Sequence, residues 1–201
     1  RIFLFIFLFF IFNLFSQEND PLLVNTPDRI NQHIWVDSIY NNMSLDQKIG
    51  QLFMPMVFSR KDSKHYTSSL ELIKKYHIGG VIFSLGSPYK QTKWLNSFQK
   101  HSKIPLLVGM DAEWGVSMRL DSVMSFPWNM TLGAIKDTSL IRKIGYRMGI
   151  QEKRLGVHIS FSPVLDINTN PRNPIIGNRS FGESKKLVTN HAIARMQGQH
   201  P

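Results

Sequence analysis

The chain has 201 residues, 42% of them hydrophobic and only 19% charged, so it can bury a core of ordinary domain size and is not a disordered polymer. These 201 residues hold no cysteine, so disulfides, thiolate zinc sites, iron–sulfur clusters, a thiol nucleophile and a lipid-modified N-terminal cysteine are not expected within them. The net charge of +10 is spread evenly, with 11 basic and 7 acidic residues in positions 1–100 against 13 and 7 in positions 101–201. There is no basic arm or reading motif, which argues for a solvated basic surface and no nucleic-acid partner.

Ile2 to Phe12 is an unbroken apolar run behind Arg1; Asn13 and Leu14-Phe15 follow, then the polar Ser16-Gln17-Glu18-Asn19-Asp20. The run is well short of the about 20 apolar residues that a membrane-spanning helix needs. Residues 1–16 therefore read as a signal peptide, with an uncleaved anchor as the alternative. The expected destination is exported, periplasmic or extracellular, with no stable membrane insertion after cleavage. Starting on Arg1 rather than Met also reads as a chain incomplete at this end. Residues 17–32, polar and interrupted by Pro21 and Pro27, are expected to be a linker, and the folded region to run over 33–201.

Ile34, Trp35, Ile39 and Tyr40 predict a short helix. Ser44-Leu45-Asp46-Gln47 has the form of a capping box, in which serine and glutamine side chains satisfy free amides at a helix start. The run Leu52–Phe58 is suited to a buried strand. A helix is expected over Ser69–Tyr76, ended by Gly79-Gly80 and followed by the strand Val81-Ile82-Phe83. Pro88 opens a helix that includes Trp94, Leu95 and Phe98, and Pro105 precedes a strand over Leu106–Asp111. Asp137 or Thr138 caps a helix with Ile141, Ile144, Met148 and Leu155 on one face; Gly156 stops it, and a strand is expected over His158–Asp166. Ser180-Phe181-Gly182-Glu183 reads as a second capping box before a final helix bearing Leu187, Val188, Ala192 and Met196.

Apolar strands separated by single helices predict parallel pairing, either half of an eight-stranded barrel or a small doubly wound sheet. Half a barrel leaves open strand edges, so such a portion is expected to fold poorly by itself.

Chemistry is expected at the strand ends. Asp111 and Asp166 each close an apolar strand with a carboxylate facing a loop, the side on which parallel barrels build their sites; a carboxylate capping the next helix is the structural alternative. Glu113, two residues from Asp111, lies too close along one strand face for the pair to flank a glycosidic bond, whose working carboxyls sit about 5 Å or more apart on opposite sides. The pair could be an acid/base pair, a metal site or a sugar clamp; of these, Asp111 is read as a ligand of sugar hydroxyls, and Glu113 as a structural group paired to a base such as Arg119 or Arg179. The loop Asn168–Pro174 and the following Arg179 are rich in amide and guanidinium donors, though a plain Asx/Pro turn is the simpler account of the loop. His33, His65, His77, His101, His158, His191 and His200 show no metal-ligand spacing, and neither metal nor cofactor is implied.

Several stretches together resemble the N-terminal barrel of glycoside hydrolase family 3. They are Met43–Phe53 (MSLDQKIGQLF), Gly79–Phe83 (GGVIF), Gly109–Gly115 (GMDAEWG), Phe161–Ile167 (FSPVLDI) and Asn178–Gly182 (NRSFG), in matching order and spacing over about residues 33–199. The resemblance is strongest to the β-N-acetylhexosaminidase branch and its exported bacterial relatives. It implies an α/β fold, the N-terminal portion (about half) of a TIM-type (β/α)8 barrel.

It also implies that Asp111 and Arg179 bind the terminal sugar of an oligosaccharide or glycan substrate and that Asp166 helps shape the pocket. Trp114 departs from the pattern, since many members of this branch have glycine after the glutamate. The family's lysine-histidine-phenylalanine-proline-glycine-histidine-glycine segment should follow residue 199, and His200-Pro201 does not supply it. The acid/base histidine and the aspartate nucleophile of a retaining mechanism are therefore expected beyond Pro201. The chain reads as a truncated portion, inactive alone, of an exo-acting β-glycoside hydrolase that releases terminal N-acetylglucosamine. A β-glucosidase or xylosidase of the same family, or a non-catalytic carbohydrate-binding protein, are the alternatives.

Overall fold

The computed structural model describes residues 29–200, so the expected signal peptide and linker residues 17–28 lie outside the described residues. The described residues fall into two units, divided between Met43 and Ser44. In the first, helix α1 spans Arg29–Tyr40. It begins four residues inside the stretch expected to be linker, because Pro27 is the last proline before Pro55 and nothing after it interrupts helical hydrogen bonding.

The second unit opens on the expected capping box. The Gln47 N–H donates to Ser44 Oγ at 3.3 Å and the Ser44 N–H donates to Gln47 Oε1 at 3.1 Å, starting α2 (Leu45–Gly50). Strand and helix then alternate: β1 (Met56–Phe58), α3 (Ser63–Tyr76), β2 (Gly80–Ser84), α4 (Pro88–His101) and β3 (Leu107–Met110). A 3-10 turn at Val116–Met118, α5 (Asn129–Gly133) and α6 (Thr138–Arg154) lead to β4 (Ile159–Ser160), and a 3-10 turn at Gly177–Arg179 precedes α7 (Lys185–Gln199).

All three strand pairings are parallel and the spatial order is β1-β2-β3-β4. A doubly wound sheet reverses its strand order at a switch point. Strands laid down in sequence order, each joined to the next through helix, wind instead as a portion of a (β/α)8 barrel.

The strands at both sides of the sheet are shorter than expected. Of the run Leu52–Phe58 only Met56–Phe58 pairs, against Ile82–Ser84; Leu52 and Phe53 lie in a turn with exposed side chains. Of His158–Asp166 only Ile159 and Ser160 pair, against Gly109 and Met110. β3 ends at Met110, whose carbonyl takes the Phe161 N–H, and Pro163 soon after has no N–H to offer a ladder. The second expected capping box does not form. Ser184, not Ser180, is the N-cap of α7, its Oγ accepting from the Leu187 N–H. Ser180 Oγ instead donates to the Asp166 carbonyl at 2.5 Å and accepts from the Gly182 N–H at 3.1 Å, holding together the two ends of the loop after β4.

The main core lies between the sheet and α3–α4. Val57, Val81, Phe83, Val108 and Met110 of the strands meet Ile73 of α3 and Trp94, Leu95 and Phe98 of α4. Phe98 stacks on Tyr66 and Phe83, with ring centroids 5.4 and 6.3 Å apart. Each such buried side chain contributes about 1.5–3 kcal/mol by removal from water. A smaller core joins Leu132 of α5, Ile141 of α6, Phe181, and Val188 and Ala192 of α7. Here α6 and α7 approach through glycines. A Cβ on Gly145 would fall 2.3 Å from the Arg195 carbonyl oxygen, and one on Gly198 would fall 2.1 Å from that of Arg142, so neither position has room for a side chain.

Candidate functional site

The apolar strand β3 is buried at Val108, Gly109 and Met110, and the next residue, Asp111, leaves the ladder at its C-terminal end. Its Oδ2 accepts from Arg119 Nη2 at 2.5 Å, while a third of the side chain (33%) stays exposed. Arg119 follows the turn Val116–Met118, and its backbone is tied to the loop after β2, the Gly86 N–H donating to the Arg119 carbonyl at 3.1 Å. Asp111 is thus an anchored carboxylate with a face open to solvent.

Glu113 is buried and fully engaged. Arg179 grips it in bidentate fashion, Nε to Oε2 and Nη2 to Oε1, both at 2.8 Å. The pairing of Glu113 with an arginine was expected, and the partner is Arg179. Arg119, the other candidate, serves Asp111 instead. Arg179 sits at the end of its 3-10 turn with Nη1 donating to the Ile175 carbonyl at 3.2 Å. Its guanidinium is held more firmly protonated than usual, chiefly by hydrogen bonding to Glu113. Burial opposes this, and the charges of Glu113, Asp166 and Asp111 add to it. Asp111, Asp166 and Arg179 therefore share one electrostatic neighbourhood, although some seventy residues separate the first from the last. Asp166 itself is exposed, and its backbone is fixed through the Ser180 hydroxyl.

Beneath these residues lies a group that sequence reasoning missed. Arg195 of α7 is completely buried. Its Nη1 donates to the Glu113 carbonyl at 2.5 Å and to Asn129 Oδ1 at 2.9 Å; its Nη2 donates to the Ala112 carbonyl at 3.1 Å and to Ser162 Oγ at 3.2 Å. Burial lowers its pKa to about 10, against the charges of Glu152 and Glu113, so it remains a cation near neutrality. The buried Glu152 of α6 accepts from Ser160 Oγ at 3.0 Å and from Gln199 Nε2, and burial pushes its carboxyl up. The one available signal was spacing: Val188, Ala192 and Arg195 fall at helical intervals on the buried face of α7.

The arrangement suits binding. Asp111 offers an exposed acceptor that a sugar hydroxyl can use, and Arg179 a cation oriented by Glu113. Glu113, two residues from Asp111, is spent on Arg179 and so is not free to share in breaking a glycosidic bond. Trp114 lies against Trp128, with ring centroids 4.2 Å apart and planes 11° from parallel. Among the described residues no group of three or more histidine or carboxylate side chains could hold a metal ion.

The family described as glycosyl hydrolase family 3 N terminal domain matches residues 44–201. A β-N-acetylglucosaminidase/β-glucosidase of Cellulomonas fimi is 31% identical over 158 residues, 77% of this chain and 27% of that protein. β-Hexosaminidase A of Pseudoalteromonas piscicida is 32% identical over 140 residues, covering 63% of this chain and 23% of its own length. This chain therefore spans roughly a quarter of the length of these relatives. Among solved structures, a β-glucoside phosphorylase bound to 2FGlc superposes with a TM-score of 0.76 at 26% identity, over 85% of this chain and 30% of that one. A family 3 β-N-acetylglucosaminidase from a Paenibacillus species superposes with a TM-score of 0.70 at 34% identity, over 79% and 31%. These likenesses agree with the sheet order in making the fold part of a (β/α)8 barrel.

Proposed function

The chain belongs to glycosyl hydrolase family 3 through that family's N-terminal domain, and from this premise we propose that the whole protein is an exo-acting, retaining β-N-acetylhexosaminidase. In this reading it removes terminal N-acetylglucosamine from a glycan. The observation that carries the reading is the charge arrangement after β3: an exposed face on Asp111, anchored by Arg119, beside an Arg179 oriented by the buried Glu113. Asp111 accepts from hydroxyls of the terminal sugar, Arg179 donates to it, and the exposed Asp166 borders the same pocket. The names of the Cellulomonas, Pseudoalteromonas and Paenibacillus relatives support N-acetylglucosamine as the sugar.

The residues of this chain bind and orient. The acid/base histidine and the nucleophilic aspartate have no counterpart in 1–201 within the resemblance, so the 201-residue polypeptide alone is expected to show no turnover. In the whole protein the aspartate attacks the anomeric carbon while the leaving-group oxygen is protonated, and water then hydrolyses the glycosyl-enzyme. The apolar run within residues 1–16 supports export to the periplasm or beyond. Among the described residues no helix is long and apolar enough to cross a membrane.

A β-glucosidase reading keeps the same binding residues, and the Cellulomonas relative carries both names. Expression of the whole gene and assay with an aryl N-acetyl-β-glucosaminide and an aryl β-glucoside separates the two. Faster hydrolysis of the first supports the proposal, and the reverse order replaces it with the glucosidase. Sugar binding without hydrolysis of either leaves a carbohydrate-binding protein.

A further inference from the structure

A full positive charge buried in a helix interface costs several kcal/mol unless its donors are matched, and an apolar side chain would fill the same space at lower cost. Arg195 is matched on both terminal nitrogens, only its Nε being left without a partner, and the partners it has are not scattered. Nη1 and Nη2 take the carbonyls of Ala112 and Glu113, the two residues that directly follow Asp111. Nη1 also takes Asn129 Oδ1, and Asn129 Nδ2 in turn donates to the carbonyl of Arg179 at 2.7 Å. The circuit then closes, because the guanidinium of Arg179 returns to the carboxylate of Glu113. On its far side Arg195 reaches Ser162 Oγ, which lies 2.8 Å from Ser160 Oγ, and Ser160 donates to Glu152. The cation thereby faces an anion through two hydroxyls while it braces the ends of β3 and β4 together.

From this circuit we infer that Arg195 and Asn129 are positioning residues that set the spacing between Asp111 and Arg179. Neither touches the sugar. The inference rests on the reading of Asp111 and Arg179 as sugar ligands given above. Its physical basis is that one planar guanidinium fixes two successive carbonyls and, through one amide, the backbone of a residue far along the chain. Lysine, a single point donor, cannot reproduce this geometry. Displacement of a binding pair by about 1 Å is enough to cost on the order of a hundredfold in rate.

The test uses the protein expressed from its whole gene, with Arg195→Lys, Asn129→Ala and, as a control for destabilisation alone, Val188→Ala. Val188 is buried on the same helix but packs in the apolar cluster with Leu132 and Phe181. Melting temperature, the inhibition constant of N-acetylglucosamine, and kcat and KM on an aryl N-acetyl-β-glucosaminide are measured for each. Asn129→Ala and Arg195→Lys are expected to weaken the inhibitor and raise KM about tenfold or more. Val188→Ala is expected to lower the melting temperature and leave both constants unchanged. If Arg195→Lys does not fold, Asn129→Ala decides. Sugar constants that follow melting temperature equally in all three variants, or that stay at the wild-type value in Asn129→Ala, overturn the inference. A wild-type protein that neither cleaves nor binds the sugar overturns the underlying reading instead.

Discussion

Around β1–β3 the interior is mostly apolar and aromatic, with Val81, Phe83, Phe98 and Val108 fully buried, and its buried polar groups Ser59, Ser69, Ser84 and Gln91 are uncharged. Around α5–α7 and the loop after β4 the interior holds Arg195, Asn129, Glu152, Ser180 and His191, with a smaller apolar cluster beside them. The first region gains its stability from non-directional burial, which tolerates small shifts. The second depends on hydrogen bonds with defined angles and distances, which do not. The proposed sugar ligands stand where the two meet, Asp111 on the end of an apolar strand and Arg179 in the polar region. The division teaches that fold and site geometry rest on different parts of the molecule, and each can be disturbed separately.

The largest separation should come from Phe98→Ala. Loss of this fully buried ring is expected to cost about 3–5 kcal/mol in denaturant unfolding of the whole protein, with sugar affinity unchanged while it remains folded. Glu113→Gln should do the converse. It removes the bidentate, charge-assisted grip on Arg179, an effect of about 1.5–3 kcal/mol, and sugar affinity should fall with it in calorimetry. A Glu113→Gln protein with wild-type affinity would break the division. Ser184→Ala deletes the α7 N-cap and should cost about 1 kcal/mol, again without loss of affinity.

The smallest effect is one of pH. Burial holds the Glu152 carboxyl above its ordinary value of 4.5, opposed by hydrogen bonding from Ser160, the charge of Arg195, hydrogen bonding from Gln199 and the charge of His200. An acid whose folded pKa is raised binds its proton more tightly in the fold. Its stabilising contribution is therefore complete below about pH 4.5 and is lost as pH rises through the higher folded value. Relative to Glu152→Gln, the wild type should gain melting temperature as pH falls from neutrality and level off below that point. A difference that stays flat with pH would show that Glu152 does not titrate in this window.

The apolar region was the more legible of the two. Alternating strand and helix runs, Pro88 at a helix start and the Ser44 box are local patterns, and they formed where expected because nothing in the tertiary packing opposes them. The place of Asp111, a carboxylate just past the end of an apolar strand, was legible for the same reason. The polar region was read less well. Ser180 and Glu183 have capping-box spacing, but the hydroxyl is taken by Asp166, 14 residues earlier, and the helix waits for Ser184. The length of a strand depends on its neighbour, so β1 and β4 could not be bounded from their own residues. Arg195 reads as an ordinary solvated helix cation until the carbonyls it serves, more than eighty residues away, are brought beside it.

The central claim, that Asp111 and Arg179 form one sugar subsite, is tested most directly by calorimetric titration of the whole protein with N-acetylglucosamine. Wild type, Asp111→Asn, Arg179→Lys and the double variant are compared. Each single change is expected to weaken binding roughly tenfold or more, as loss of a charged hydrogen bond does. The double variant should fall short of the summed losses, because both residues hold the same ligand. Equal affinity in wild type and both single variants would contradict the account.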